Sequence, residues 1–260
     1  MNATPRDDEL TRAPMQGAAL VTGGSAGIGY AIAHMLAADG WAVTVCGRDA
    51  DKLASAVREL GPRAHAVAAN LARSGAAESV LAEHLDRHGQ LDLLVNNVGS
   101  GGLASIETKK DKALDLELNL NFRVAFQLLR ASIPSLRESA ATRGKSNVVN
   151  VSSLVARQTP PNVSVYAATK AALVALSNSA HGELSRDGIH VTALLPGFVD
   201  TPGASWASAA QDTMITADDV AESVRFLLRT SPRCFVPELM LTTSGPTVLH
   251  SPVDWETPDH

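Results

Sequence analysis

Short runs of continuous apolar residues alternate along this chain with longer stretches in which apolar residues recur every three to four positions. "AALVTG" (18–23) is an unbroken apolar run closed by glycine, the pattern of a strand buried on both faces. "YAIAHMLAADG" follows and sets Ile32, Met35 and Leu36 at helical spacing, with Gly40 as a stop. "WAVTVCG" (41–47) predicts a second strand. "DADKLASAVRELG" (49–61) predicts a second helix, with Asp49 suited to the N-cap and Gly61 to the position just past the end. "AHAVAAN", "LDLLVNN", "SNVVNVSS", "IHVTALLPG" and "VPELMLTT" read as further strands, separated by helical stretches near 74–88, 107–138, 162–186 and 217–229. Seven strands alternating with helices imply right-handed crossovers and a doubly wound, Rossmann-like α/β fold: one parallel sheet flanked by helices in a single domain.

Composition narrows this picture without redirecting it. A length of 260 residues suits one large α/β domain, and 45% hydrophobic with 19% charged residues is ordinary for a globular protein. A formal net charge of -5 disfavours a nucleic-acid-binding surface. No run of 18 apolar residues exists to span a membrane. The opening "MNATPRDDELTRAP" is polar and acidic, without the apolar core of a signal peptide. Cys46 and Cys234 sit in apolar, strand-like runs, so both read as buried free thiols in a reducing, cytoplasmic setting, with no metal site. The sequons at Asn2 and Asn162 carry no weight without secretion. Residues 1–15 and 250–260 read as loose tails around a dinucleotide-binding domain over 16–249.

The glycines in "TGGSAGIG" lie where the first strand gives way to the first helix, at the carboxyl edge where open parallel sheets bind ligands. Gly23 allows a sharp turn; Gly27 and Gly29 let backbone approach a pyrophosphate near the positive end of the helix. Such turns also occur with no ligand. The spacing T-G-x-x-x-G-x-G, rather than G-x-G-x-x-G, resembles that of the short-chain dehydrogenase/reductase family in its shorter subtype. Three further segments share the resemblance in the family's order. "NNVG" (96–99) stands for N-N-A-G, with Val98 for the usual alanine. "NVSS" closes a strand with Ser153, and "YAATK" matches Y-x-x-x-K through Tyr166 and Lys170.

The resemblance implies a hydride transfer between nicotinamide and a carbonyl or secondary alcohol. Tyr166 serves as general acid and base, Ser153 holds the reacting oxygen, and Lys170 holds the nicotinamide ribose. An unperturbed phenol has a pKa near 10, poorly matched to neutral pH. An ammonium about 4 Å away contributes roughly 4 kcal/mol at an effective dielectric of 20, enough to lower that pKa by up to about three before desolvation opposes it. A fourth member is implied in the preceding long helix. Counting back from Phe126 and Pro134 selects Asn121, with Asn119 the other candidate, to orient a water beside Lys170.

For the cofactor, the resemblance places Gly23, Ser25, Gly27, Ile28 and Gly29 in the glycine turn that binds it, Asn70 at the adenine, Asn97 and Gly99 beside the cofactor, Pro196, Gly197, Val199 and Thr201 at the nicotinamide amide and phosphate region, and Tyr166 with Lys170 among its contacts. Where NAD-preferring relatives carry an acid at the end of the second strand, this chain has Gly47 followed by Arg48, whose planar fork suits a 2′-phosphate. NADP(H) is therefore expected over NAD(H). Asp49 is adjacent but explained by the helix cap, Ala26 supplies no second cation, and Arg48 has the simpler reading of a solvated loop charge. Trp206 and Met214 are candidate lid contacts, and Gly99–Gly102 reads as a flexible edge of the cleft. A compact, mildly apolar carbonyl or alcohol is the expected substrate. The alternative is a catalytically silent NAD(P)-binding regulatory protein on the same fold. The family resemblance also implies a homodimer or homotetramer; apolar spacing at Ala171, Ala172, Val174, Ala175 and Leu176 suits that or burial on the sheet.

Overall fold

The computed structural model describes residues 16–201 and 214–244; the expected tails at 1–15 and 250–260 and Trp206 lie outside the described residues. Seven strands form one parallel sheet: β1 (Ala18–Thr22), β2 (Ala42–Gly47), β3 (Ala64–Ala68), β4 (Leu93–Asn96), β5 (Ser146–Val151), β6 (Ile189–Pro196) and β9 (Glu238–Leu241). Their order is β3-β2-β1-β4-β5-β6-β9, every pair parallel. The chain runs outwards from β1 to β3, then crosses back to β4. A topological switch point thus lies between β1 and β4, where such sheets open a crevice.

The continuous apolar strands follow from this layering. Ala19, Val21, Val43, Val45, Leu93 and Val95 pack on one face against α1 (Gly27–Ala38), α2 (Ala50–Leu60) and α8 (Ala217–Arg229). Leu20, Cys46, Leu94, Val148 and Val191 pack on the other against α3 (Ala76–His88), α5 (Val124–Arg143) and α7 (Ser164–Leu184). Because successive side chains point to opposite faces, a strand covered on both sides is apolar along most of its length, and buried polar side chains such as Thr44, Asn150 and Thr192 are hydrogen-bonded.

Two expectations change. The single helix over 107–138 is two helices, α4 (Asp111–Leu118) and α5, joined by a π-helical turn at Asn119–Arg123. The α5 helix also runs through Pro134, ending at Gly144 in the left-handed region (φ 87°). Proline removes one backbone donor there, but buried Ser132, Leu136, Ser139 and Ala140 fix the helix on both sides of it. Cys234, read as buried in a strand, is exposed in the connection between α8 and β9; only Cys46 is buried. A two-stranded patch, β7 (Val199–Asp200) with β8 (Ile215–Thr216), and the short helix α6 (Val155–Gln158) carried no readable periodicity.

At the amino edge of the sheet the buried Asp92 carboxylate joins three segments. Its Oδ2 accepts from Ala18 N at 2.6 Å and Gln90 Nε2 at 2.9 Å; its Oδ1 accepts from the Ser139 hydroxyl and from Arg143 Nε at 2.8 Å. Replacing it leaves the Ala18 amide and the Ser139 hydroxyl unpaired in the interior. Asp92→Ala is expected to cost about 2–4 kcal/mol of stability, read as a lower urea midpoint by circular dichroism.

Candidate active site

The carboxyl edge is assembled around Thr22 and Asn97. The Thr22 hydroxyl donates to Val95 O at 3.2 Å and accepts from Asn97 N (2.9 Å) and Val98 N (3.0 Å). The Asn97 amide nitrogen donates to Thr22 O (2.9 Å) and Gly23 O (3.2 Å), locking the glycine turn to the end of β4. Gly23 turns at φ 66°, and Gly29 lies so close that a β-carbon there would sit 2.3 Å from Gly23 O. The helix that follows, α1, has no side-chain cap and no carboxylate in its first turn. Its first amides are therefore open to an anion.

Beside this turn lies a cavity of about 260 Å³, whose lining includes Ile28, Asn97, Gly99, Ser153, Tyr166 and Lys170, together with Pro196, Gly197, Val199 and Thr201. Leu154, Val155, Gln158, Val163 and Phe198 make up much of the remaining wall. The predicted serine, tyrosine and lysine therefore meet in one cleft although they come from different segments. Ser153 follows β5, while Tyr166 and Lys170 stand one helical turn apart on α7. Gly27 adjoins Thr201, with a β-carbon position 3.2 Å from the threonine side chain, and Ser25 Oγ lies 3.5 Å from the β-carbon position at Gly47. Arg48 is exposed at the end of β2, and Asp49 caps α2 by accepting from Lys52 N at 3.1 Å. Asn70, exposed beyond β3, accepts from Ala72 N at 3.1 Å and so closes its own turn. Arg48 and Asn70 do not line the cavity.

Asn121 is buried on the π-turn and reaches the cleft from behind. Its Oδ1 accepts from Ser100 N at 2.8 Å, and its Nδ2 donates to Ser100 O (2.8 Å) and to Thr169 Oγ1 (2.9 Å). Asn119, the other candidate, instead donates to Ala72 O at 3.0 Å, away from the site. The extra residue of the π-turn separates their directions, as such turns do where a helix must re-aim a side chain. The Gly99–Gly102 segment, expected to be a flexible edge, is thus held at Ser100 through both its backbone groups.

Electrostatics at the tyrosine differ from the expectation of a depressed pKa. Burial pushes the Tyr166 phenol up to about 12; the hydrogen bond with Ser153 pulls it down, and the Glu117 carboxylate raises it further. Lys170 does not offset this. Its ammonium lies 5.7 Å from the tyrosine ring centroid, donates to Val151 O at 2.8 Å, and is itself lowered to about 8 by burial. Desolvation of each neutralisable group outweighs their mutual influence. Glu117 is the buried residue of α4; it pairs with Lys109, and its Oε2 has no hydrogen-bond partner among the described residues. Thr22, Glu117 and Thr169 were not singled out by sequence reasoning, and Ser100 and Gly101 were read only as part of a flexible edge. Thr22 and Thr169 had usable cues, the one opening "TGGSAGIG" and the other lying between Tyr166 and Lys170 in "YAATK".

A doubly wound parallel sheet with a polar cleft at its switch-point edge defines a dinucleotide-type α/β protein with a small-molecule site. Residues 17–212 match the family model described as short chain dehydrogenase, and the chain belongs to that family of oxidoreductases. A putative ketoacyl reductase of Streptomyces coelicolor is 36% identical over 194 residues, 72% of this chain and 72% of that protein. Among solved structures, the 3-ketoacyl-(acyl-carrier-protein) reductase of Brucella melitensis complexed with NADH aligns with a TM-score of 0.84 at 27% identity, covering 88% of this chain and 98% of that one. The alcohol dehydrogenase of the archaeon Thermococcus sibiricus, complexed with 5-hydroxy-NADP, aligns with a TM-score of 0.80 at 27% identity, covering 94% and 99%. Among the described residues no helix is long and apolar enough to cross a membrane.

Removing the negative charge at Glu117 favours the phenolate of Tyr166. The chain has two tyrosines, so Tyr30→Phe leaves Tyr166 as the single phenol to follow. In that background Glu117→Gln is expected to move the Tyr166 titration downwards from about 12, read from the ring carbon shift of labelled tyrosine.

Proposed function

We propose that this protein is an NADP(H)-dependent oxidoreductase that transfers a hydride between nicotinamide and a compact, mildly apolar carbonyl or secondary alcohol, with Tyr166 as general acid and base. The observation that carries this reading is the meeting of Ser153, Tyr166 and Lys170 in one cleft beside the glycine turn. The turn fits a dinucleotide because Gly29 leaves no room for a side chain against Gly23 O and α1 opens without a side-chain cap. Bound nicotinamide supplies the hydride. The chain supplies position and the proton: Ser153 donates a hydrogen bond to the reacting oxygen, and the Tyr166 hydroxyl gives its proton to that oxygen as negative charge develops. With its pKa near 12, the phenol is protonated at neutral pH, the form that carbonyl reduction consumes. Lys170, lowered to about 8, sits close enough to neutrality to hold or release a proton beside the same cavity. Leu154, Val155, Val163 and Phe198 suit an apolar substituent on the carbonyl.

The coenzyme preference rests on Arg48 and Ser25. A glycine at position 47 presents no carboxylate to a 2′-phosphate, Ser25 Oγ adjoins that glycine, and the exposed Arg48 follows it. We also infer a homo-oligomer, since Leu116, Leu118 and Phe126 on α4 and α5 are large apolar side chains left exposed. Buried, unpaired Cys46 suits a reducing cytoplasm.

A panel of ketones and alcohols offered with both coenzymes tests the reading through nicotinamide absorbance. Turnover faster with NADPH than with NADH is expected; coenzyme binding without turnover across the panel would support a silent regulatory protein instead. Tyr166→Phe is expected to lower kcat by on the order of 10²–10⁴-fold while NADPH still binds, and retained turnover would refute the proton-transfer role. Arg48→Asp removes a charge-assisted contact of about 1.5–3 kcal/mol and should shift preference towards NADH by on the order of 10–100-fold. An unchanged KM ratio for the two coenzymes would refute that assignment.

A further inference from the structure

The segment after β4 crosses the Tyr166 ring and is anchored on both sides of the crossing. At one end both backbone groups of Ser100 are bonded to the Asn121 amide, at 2.8 Å each. At the other, Ala104 N donates to Asn162 O at 2.8 Å, two residues before α7 begins. Between the anchors Gly101 lies against the ring: a β-carbon there would sit 2.6 Å from Cδ2, 2.9 Å from Cε2 and 3.0 Å from Cγ of Tyr166. Separations that short are not tolerated between carbon atoms, so ring and backbone touch only because position 101 has no side chain. The φ of Gly101 is not in the left-handed region, so an alanine there is opposed by the contact alone and not by backbone strain.

The anchors and the ring form a closed circuit. The Asn121 amide nitrogen that holds Ser100 also donates to Thr169 Oγ1, and that hydroxyl donates to the Tyr166 carbonyl oxygen at 2.9 Å. Asn121 therefore fixes the backbone of the tyrosine from one side and the segment lying on its ring from the other. Leu103, Val155, Val163 and Ala167 pack about the same ring and restrict where it can turn. Gly101 itself is exposed, so burial does not hold it; its place is set by the pinned residue before it.

We propose that Gly101 is a positioning residue for Tyr166: its bare backbone is the platform on which the phenol ring is seated, and the Asn121 amide keeps that platform in place. This rests on Tyr166 being the proton-transfer group proposed above. A side chain at 101 meets a segment that cannot retreat without breaking the Asn121 bonds, so the ring yields. The hydroxyl then moves relative to Ser153, and a displacement of about 1 Å at a reacting group can cost on the order of 100-fold in rate. Gly102, the next residue, has no heavy atom within 4 Å of its β-carbon position and serves as the comparison.

The test uses the full chain carrying Tyr30→Phe and labelled tyrosine, so that one ring signal reports Tyr166 whether or not turnover is detected. Gly101→Ala is expected to move that signal and Gly102→Ala to leave it in place. With the best substrate of the panel, Gly101→Ala should lower kcat by on the order of 100-fold with coenzyme affinity unchanged. A ring signal in Gly101→Ala that coincides with the parent, or one moved as far by Gly102→Ala, would overturn the proposal. A parent that binds coenzyme but turns nothing over refutes the functional reading instead, and the ring signal still decides the role of Gly101.

Discussion

Each strand of the central sheet hydrogen-bonds to neighbours running in its own direction, so all seven carboxyl ends emerge along one edge. Parallel pairing also requires cover on both faces, which makes the strands largely apolar and leaves their ends as the place for accessible polar groups. The glycine turn after β1, Asn97 after β4, Ser153 after β5 and Gly197 after β6 are neighbours for this reason alone. Nothing in their sequence spacing brings them together.

Within that edge, hydrogen bonds to backbone do most of the positioning. Thr22 and Asn97 tie the first turn to β4, and Ser152 Oγ donates to Lys170 O at 2.8 Å, tying β5 to α7. Asn121 spends its amide on Ser100 and Thr169. Side chains that satisfy backbone groups in this way are rigid, because releasing one would leave a buried polar group unpaired. Ser153, Tyr166 and Lys170 consequently sit among neighbours held by backbone hydrogen bonds, and Asn121, for which the family resemblance implies a water-orienting role, clamps Ser100 to Thr169 through its side chain.

The cost of gathering ionisable groups in a partly dry cleft is visible in their protonation. Burial raises Tyr166 and lowers Lys170, moving each towards its neutral form. The ammonium, 5.7 Å from the ring centroid and bonded to Val151 O, does not reverse the effect of burial on the tyrosine. Coulomb reasoning from a Y-x-x-x-K spacing gives only the part of the shift that desolvation opposes, and desolvation is the larger effect here.

Much of the fold was legible in the chain because the rules involved are local. Apolar runs of strand length, helical periodicity and the Asp49 and Gly61 stops all depend on neighbours in sequence. Cys234 was misplaced because an apolar run near a strand does not say where pairing begins; the register with β6 begins at Glu238. The motif residues Ser153, Tyr166 and Lys170 were readable from types and order, and their common cleft required the sheet. The π-turn that separates Asn121 from Asn119, the Glu117 carboxylate near the phenol, and the closeness of Gly101 to the ring had no periodic trace. They arise from contacts between segments far apart in the chain. By itself the sequence determined the elements, the layer they form and the chemical groups available. Only the tertiary structure decided which of those groups face one another and how far burial moves their protons, since distance and desolvation are properties of the packed molecule.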